Sequence, residues 1–196
     1  VVQAVGEGNT SIVAKVKGIK IFARIFVTKK YVQDSGHEYT RGEWVKLLLD
    51  KVGCKYEEQF DSKNYYYADT RENENGIAAE IAKTMGIIPD ETDEQDVPYF
   101  YPDEYATREF AAYTAVMLMG YETTDEEPTC TDAAQIRYKN VVAIALKKNM
   151  LSLNGDTFEP EKAINGNDAA QILKAIDQIT EDSVIDENYD SKVTYA

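Results

Sequence analysis

The sequence predicts a mainly α-helical protein built from repeated units and preceded by a short β-strand segment. Three observations predict it. Apolar residues recur at the helical period in several stretches after residue 38, residues 11–29 instead alternate with period two, and an ordered set of helix-start features returns about every 60 residues. A length of 196 residues with 43% hydrophobic and 11% aromatic side chains suffices for one domain, or a compact array of small units, with a buried core.

The elements follow in chain order. Ile12, Ala14 and Val16 alternate with Val13, Lys15 and Lys17, and Ile19, Ile21, Ala23, Ile25 and Val27 continue the pattern beyond Gly18. Such a β-branched pattern on both sides of a glycine predicts two strands joined at a turn, and Val5 to Thr10 ahead of them is turn chemistry. A lone hairpin is only marginally stable, so it needs a partner surface. From Thr40 to Gly53 the apolar set Trp44, Leu47, Leu48 and Val52 predicts a helix of about three turns. Thr40 and Glu43 read as a capping box, each side chain accepting from the other residue's backbone amide, and Gly53 is the stop. A shorter stripe, Ile77, Ala78, Ile81, Ala82 and Met85, ends at Gly86 and is followed by Ile87, Ile88 and Pro89. An acidic and aromatic loop from Asp90 to Tyr105 leads to a second long helix, Thr107 to Met119. Phe110, Tyr113, Met117 and Leu118 are expected on one face of it, with Gly120 as its stop. Val141, Ile144, Ala145 and Lys148 mark another short helix. After the loop Asn154 to Pro160, the last helix carries Ala169, Ile172, Leu173, Ile176 and Ile179. Residues 181–196 are acidic and unpatterned and read as a tail or linker.

Charge narrows the function. With 35 Asp+Glu against 21 Lys+Arg the net charge is -14, which argues against nucleic acid or an anionic bilayer as partner unless a local patch dominates. Residues 1–30 hold six basic residues against Glu7 alone, a net of +5, leaving -19 for residues 31–196, so a domain boundary is placed near residue 30. No apolar stretch approaches the roughly 20 residues that span a bilayer, so membrane insertion is not expected. The chain opens at Val1 without a signal-peptide pattern and reads as a processed product or a piece of something longer. Cys54 and Cys130 stand 76 positions apart with no second Cys or His nearby to complete a zinc set. They are read either as a disulfide, in an oxidising compartment, or as two unrelated buried thiols. His37, the single imidazole, lies in the polar connector Asp34 to Glu38 and reads as a solvated loop residue. No phosphate-cradling glycine loop or HExxH helix is present. The run Asp90, Glu91, Asp93, Glu94 and Asp96 lacks the ordered spacing and glycine of a calcium loop and reads as solvated. No enzyme activity, cofactor or metal is therefore expected.

The strongest signal is internal. An acidic residue at a helix start, Glu43, returns as Glu109 and Asp168, after 66 and then 59 positions. Each later helix follows an aspartate (Asp69 or Asp132), a short helix, and an aromatic turn before proline, Phe100-Tyr101-Pro102 or Phe158-Glu159-Pro160. With Glu109 and Phe110 set against Glu43 and Trp44, Thr107 takes the position of Arg41. Arg108 is then displaced by one residue, about 100° around a helix. Gly166 takes the arginine position at the third start. On this alignment only the first start keeps Thr-Arg-x-Glu in register.

The order of these motifs resembles the S-layer homology family of bacterial cell-surface proteins. That family's repeat runs F-x-D-V, short helix, G-I-I-x-G, F-x-P, then I-T-R-A-E-F opening a long helix. The best match is Tyr67-Ala68-Asp69-Thr70, Met85-Gly86-Ile87-Ile88-Pro89, Phe100-Tyr101-Pro102 and Thr107-Arg108-Glu109-Phe110. The resemblance covers about residues 38–180 as three repeats, bounded near 31–66, 67–128 and 129–180, the first lacking its short-helix half. Residues 1–30 resemble the last strands of a bacterial immunoglobulin-like domain. The resemblance implies a pseudo-threefold helical module that anchors an exported protein at the bacterial cell surface. It would do so by binding an anionic, often pyruvylated, secondary wall polysaccharide, with the motif arginine at a helix start in a groove between repeats. A helix N-terminus offers free amides and a positive dipole, and a guanidinium grips a carboxylate with two parallel bonds, so a local site can serve an acidic chain.

On this basis Arg41 is the foremost candidate ligand, with Thr40, Glu43 and Trp44 beside it and Thr107 and Arg108 at the second helix start. Each also has a plainer reading. Thr40 and Glu43 are explained by capping, Trp44 by the core, and Arg108 as a surface or inter-repeat charge. The Tyr65-Tyr66-Tyr67 and Tyr99-Phe100-Tyr101 clusters read as core or as sugar-stacking surfaces. The alternative function is a structural or protein-interaction unit, contacting other surface-protein domains without binding glycan.

Overall fold

The computed structural model of the chain describes residues 8–16, 19–27, 35–55, 60, 64–89, 91–92 and 96–177. Of the turn expected at Val5 to Thr10, residues 8–10 belong to a strand instead, and Val5 to Glu7, the turn at Gly18, the acidic residues Asp90, Asp93 and Glu94, Ile179, and the 181–196 tail lie outside the described residues. The chain divides into two compact units, Val1–Val32 and Gln33–Ala196. In the first, β1 (Gly8–Val16) and β2 (Ile19–Val27) pair antiparallel, from Gly8 opposite Val27 to Val16 opposite Ile19.

The second unit is helical. It contains α1 (Arg41–Lys51), α2 (Gly76–Thr84), α3 (Arg108–Leu118), a 3-10 turn (Ala133–Gln135), α4 (Lys139–Lys147) and α5 over 166–177. The chain is thus mainly α. Each long helix packs on the short helix that follows it, α1 on α2 and α3 on α4. The core between them holds Trp44, Leu48, Leu49, Phe100, Phe158, Met150, Ile164 and Ile172, all closed to solvent. On α3 the apolar face departs from expectation. Phe110 is buried, but Tyr113, Met117 and Leu118 are only partly so, and Ala111, Ala112, Thr114, Ala115 and Val116 fill the interior instead. Between α1 and α3 the Trp44 indole N–H donates to Thr114 Oγ1 at 2.9 Å.

The aspartates that precede the short helices have matching duties. Asp69 accepts from the amides of Phe100 (3.0 Å) and Tyr101 (2.7 Å), and Asp132 from those of Phe158 (2.8 Å) and Glu159 (2.7 Å). Tyr101 and Glu159 both take left-handed backbone angles, φ 56° and 57°. That region costs a side-chain-bearing residue about 1 kcal/mol or more, and the carboxylate on two adjacent amides holds the chain there. Burial pulls the Asp132 carboxyl up, but the Phe158 and Glu159 amides outweigh it and hold the group below its ordinary range. A carboxyl lowered on folding stabilises the protein above its unfolded pKa, and that stabilisation is lost as pH falls through the folded value. Asp132→Asn should therefore cost about 1 kcal/mol at pH 7, after solvent screening at this half-exposed site. Urea titrations at pH 7 and pH 3 check it: the gap between variant and parent should narrow at the lower pH. A gap of equal size at both values would remove the carboxylate from the account.

The segments entering α1, α3 and α5 meet one another directly. Ala106 N–H donates to Tyr39 O (2.9 Å), Ile164 N–H to Ala106 O (2.9 Å), and Tyr39 N–H to Ile164 O (3.2 Å), a closed ring of three hydrogen bonds. Isolated β-bridges joining Glu38 to Asn165, Thr40 to Tyr105 and Thr107 to Ala163 flank it. The ring places the first turns of all three long helices around one centre.

Candidate functional site

Capping sets the first turn of each long helix, and it changes the alignment read from the sequence. Thr40 Oγ1 accepts from the Glu43 amide at 3.2 Å, and Thr107 Oγ1 accepts from the Phe110 amide at 3.1 Å, so both threonines are N-caps. Thr107 therefore matches Thr40 rather than Arg41, and Arg108 matches Arg41 with no rotation between them. The acidic residue is what shifts. Glu109 falls one position earlier than Glu43, and its carboxylate accepts from the Tyr138 amide at 2.6 Å instead of closing a capping box. Burial pushes the Glu109 carboxyl up, a change that the Tyr138 amide partly offsets. At the third start Asn165 and Asp168 exchange bonds in the manner of Thr40 and Glu43, and Gly166 stands where the arginines do.

At the starts of α1 and α3 the amides expected to be free are taken up by backbone carbonyls. The Arg41 amide donates to Glu104 O (2.7 Å) and the Gly42 amide to Pro102 O (2.9 Å). The Arg108 and Glu109 amides donate likewise to Lys162 O (2.8 Å) and Pro160 O (3.0 Å). Each helix start is thereby docked onto the left-handed turn that precedes the next long helix. These bonds consume the donors that an anion would use at an open helix end. What remains for a ligand is the side chains.

The two arginines then differ sharply. Arg108 is 5% exposed and saturated: Nε donates to Phe158 O (2.8 Å), Nη2 to Ser152 O (2.6 Å), and Nη1 to Asp168 Oδ1. It is an internal charge that ties α3 to the segment leading into α5. Arg41 is almost as buried, at 8% exposure, with its guanidinium carbon 4.2 Å from the Phe110 ring centre and 5.2 Å from that of Phe100. Among the described residues neither Nε nor Nη2 of Arg41 makes a hydrogen bond. Nη2 lies 2.9 Å from Glu91 Oε2, a contact of charges without an aligned N–H. Nε and Nη2 form one edge of the planar guanidinium, the edge suited to a carboxylate held by two parallel bonds.

Of the remaining candidates, Thr40 and Glu43 close the expected capping box in the first turn of α1, and Glu43 also lies 3.4 Å from His37 Nε2. Trp44 is fully buried in the core. Thr107 serves as a cap. Cys54 and Cys130 are free and partly buried, and burial raises both thiols, most strongly of the causes acting on them, so neither is primed as a nucleophile. No group of His, Cys, Asp and Glu suited to a metal ion is found among the described residues, and no described helix is long and apolar enough to cross a membrane. No protein-family model matches the chain, and no curated protein matches it. The Arg41–Glu91 pair is only half legible in the sequence. Arg41 was singled out by its motif, whereas Glu91 stood in an acidic run with nothing to mark it.

Proposed function

We propose that the helical unit is a non-enzymatic module of the S-layer homology type, which attaches an exported bacterial protein to the cell wall by binding an anionic polysaccharide. One observation carries the reading. A buried guanidinium at the start of α1, packed against the Phe100 and Phe110 rings, keeps its carboxylate-gripping edge free of hydrogen bonds. A buried donor left unmade costs free energy comparable to a lost hydrogen bond, and a ligand carboxylate satisfies it. The closed ring at the three helix starts, and the matched Asp69 and Asp132 clamps, support a pseudo-threefold arrangement of the repeats. Residues 1–30, with their paired strands, are read in the same proposal as the end of an immunoglobulin-like domain.

The reading is tested by co-sedimentation with purified cell-wall sacculi. The parent chain should be retained, and Arg41→Ala should bind at least about tenfold more weakly, the loss of one charge-assisted pair of bonds. Absence of binding by the parent would sink it. A second reading is favoured by Arg108, each of whose three nitrogens already has an internal acceptor, and by Gly166 at the third start: a structural unit that contacts other surface-protein domains. Cross-linking on intact cells that captures a defined protein neighbour, with no retention on sacculi, would support that reading instead.

A further inference from the structure

The geometry points to Glu91 as a built-in competitor: its carboxylate stands against the Nη2 corner of the Arg41 guanidinium and must be displaced before an external carboxylate can take the Nε–Nη2 edge. This inference rests on reading that edge as a carboxylate site. The two arginine pairs show the contrast that motivates it. Asp168, the partner of Arg108, sits in the first turn of α5, where Asn165 holds it in a capping exchange, and two backbone carbonyls complete the guanidinium shell. That pair is part of the framework. Glu91 instead belongs to the loop between α2 and α3, anchored locally by the bridge of Thr92 to Pro98. Its carboxylate reaches only one corner of the Arg41 fork, and its side chain is 29% exposed against 10% for Arg41. A contact that makes no aligned hydrogen bond, with its carboxylate on the solvent side of the pair, can be exchanged for a ligand that fills both donors. Glu91 is also of the right charge to neutralise Arg41 while no ligand is there.

A ligand that binds only when Glu91 has left sees an apparent affinity reduced to the fraction of molecules in which Arg41 is free of Glu91. Glu91→Gln in the full chain should therefore bind polygalacturonate, a carboxylate polysaccharide used as probe, about fivefold more tightly than the parent. Glu122→Gln, the same charge change at an exposed site, is the control for overall electrostatics and should leave affinity within twofold of the parent. Arg41→Lys, which keeps the charge but removes the planar fork, should abolish the gain when combined with Glu91→Gln. The side-chain Nε–H resonance of Arg41, followed by 15N NMR without ligand, should shift in Glu91→Gln and stay in place in Glu122→Gln. Equal affinity of Glu91→Gln and parent, a gain that survives Arg41→Lys, or no binding by any variant overturns the proposal. Failure of the parent to bind sacculi, with the fivefold gain on polygalacturonate intact, would instead count against the wall reading alone.

Discussion

Gly76→Ala is expected to lower the unfolding free energy by about 3 kcal/mol, the upper end of the overpacking range. Gly76 opens α2, and a Cβ built on it would lie 1.8 Å from the backbone oxygen of Thr70 and 2.7 Å from its carbonyl carbon. No rotamer change relieves a clash with backbone. The Thr70 segment cannot retreat cheaply either, because buried Glu80 holds it from within α2. Glu80 accepts from the Tyr66 and Tyr67 amides at 2.9 and 3.0 Å and from Thr70 Oγ1 at 2.5 Å. Alanine would otherwise favour the helix by its propensity, so the steric cost opposes and exceeds a gain of about 1 kcal/mol. Urea unfolding followed by circular dichroism decides it: a midpoint shift worth under 1 kcal/mol would show that the Thr70 turn yields.

Arg108→Ala should be the other large loss, about 3–5 kcal/mol, the cost of breaking a buried pair and leaving one charge behind. Three acceptors lose their donor at once: the Phe158 and Ser152 carbonyls and the Asp168 carboxylate, whose side chain is 14% exposed. If the stranded carboxylate is the main cost, Arg108→Ala with Asp168→Ala should be less destabilising than the sum of the single variants by about 1 kcal/mol or more. Additive behaviour in this cycle would refute the pairing as an energetic unit. Arg41→Ala, at the matching position, should cost distinctly less, since its guanidinium fills no comparable set of acceptors. The difference between the two arginines is thus measurable by stability alone, apart from any ligand.

The helices were legible because each carries the 3.6-residue stripe, the three long ones open on a Thr or Asn cap, and α1 and α3 stop near Gly53 and Gly120, both with positive φ. The register of the second repeat was misread because the acidic residue was used as the anchor. The hydroxyl that bonds the third amide decides where a helix begins, and Thr107 does so three residues before Phe110. The α3 face was misread for another reason. Hydrophobicity ranks Met117 and Leu118 above Ala111 and Ala115, but close helix packing selects for size. The partners of the helix starts left no trace, since the acceptors are the carbonyls of Pro102, Glu104, Pro160 and Lys162, and any residue type supplies a carbonyl. Glu91 lies 50 positions from Arg41, and only the fold brings them together.

The ring of Tyr39, Ala106 and Ile164 also governs the order in which the module can be completed. A chain delivered N-terminus first can join Ala106 to Tyr39 early, yet the remaining two bonds both wait for Ile164, 125 positions beyond Tyr39. When it arrives, one residue closes both contacts against a pair already fixed in place, and the loop-closure entropy is lost once for two bonds. A chain cut short of that residue leaves the Tyr39 amide and the Ala106 carbonyl without their ring partners, beside two helix starts it has already assembled. Assembly of the helical unit is consequently coupled to arrival of its final third.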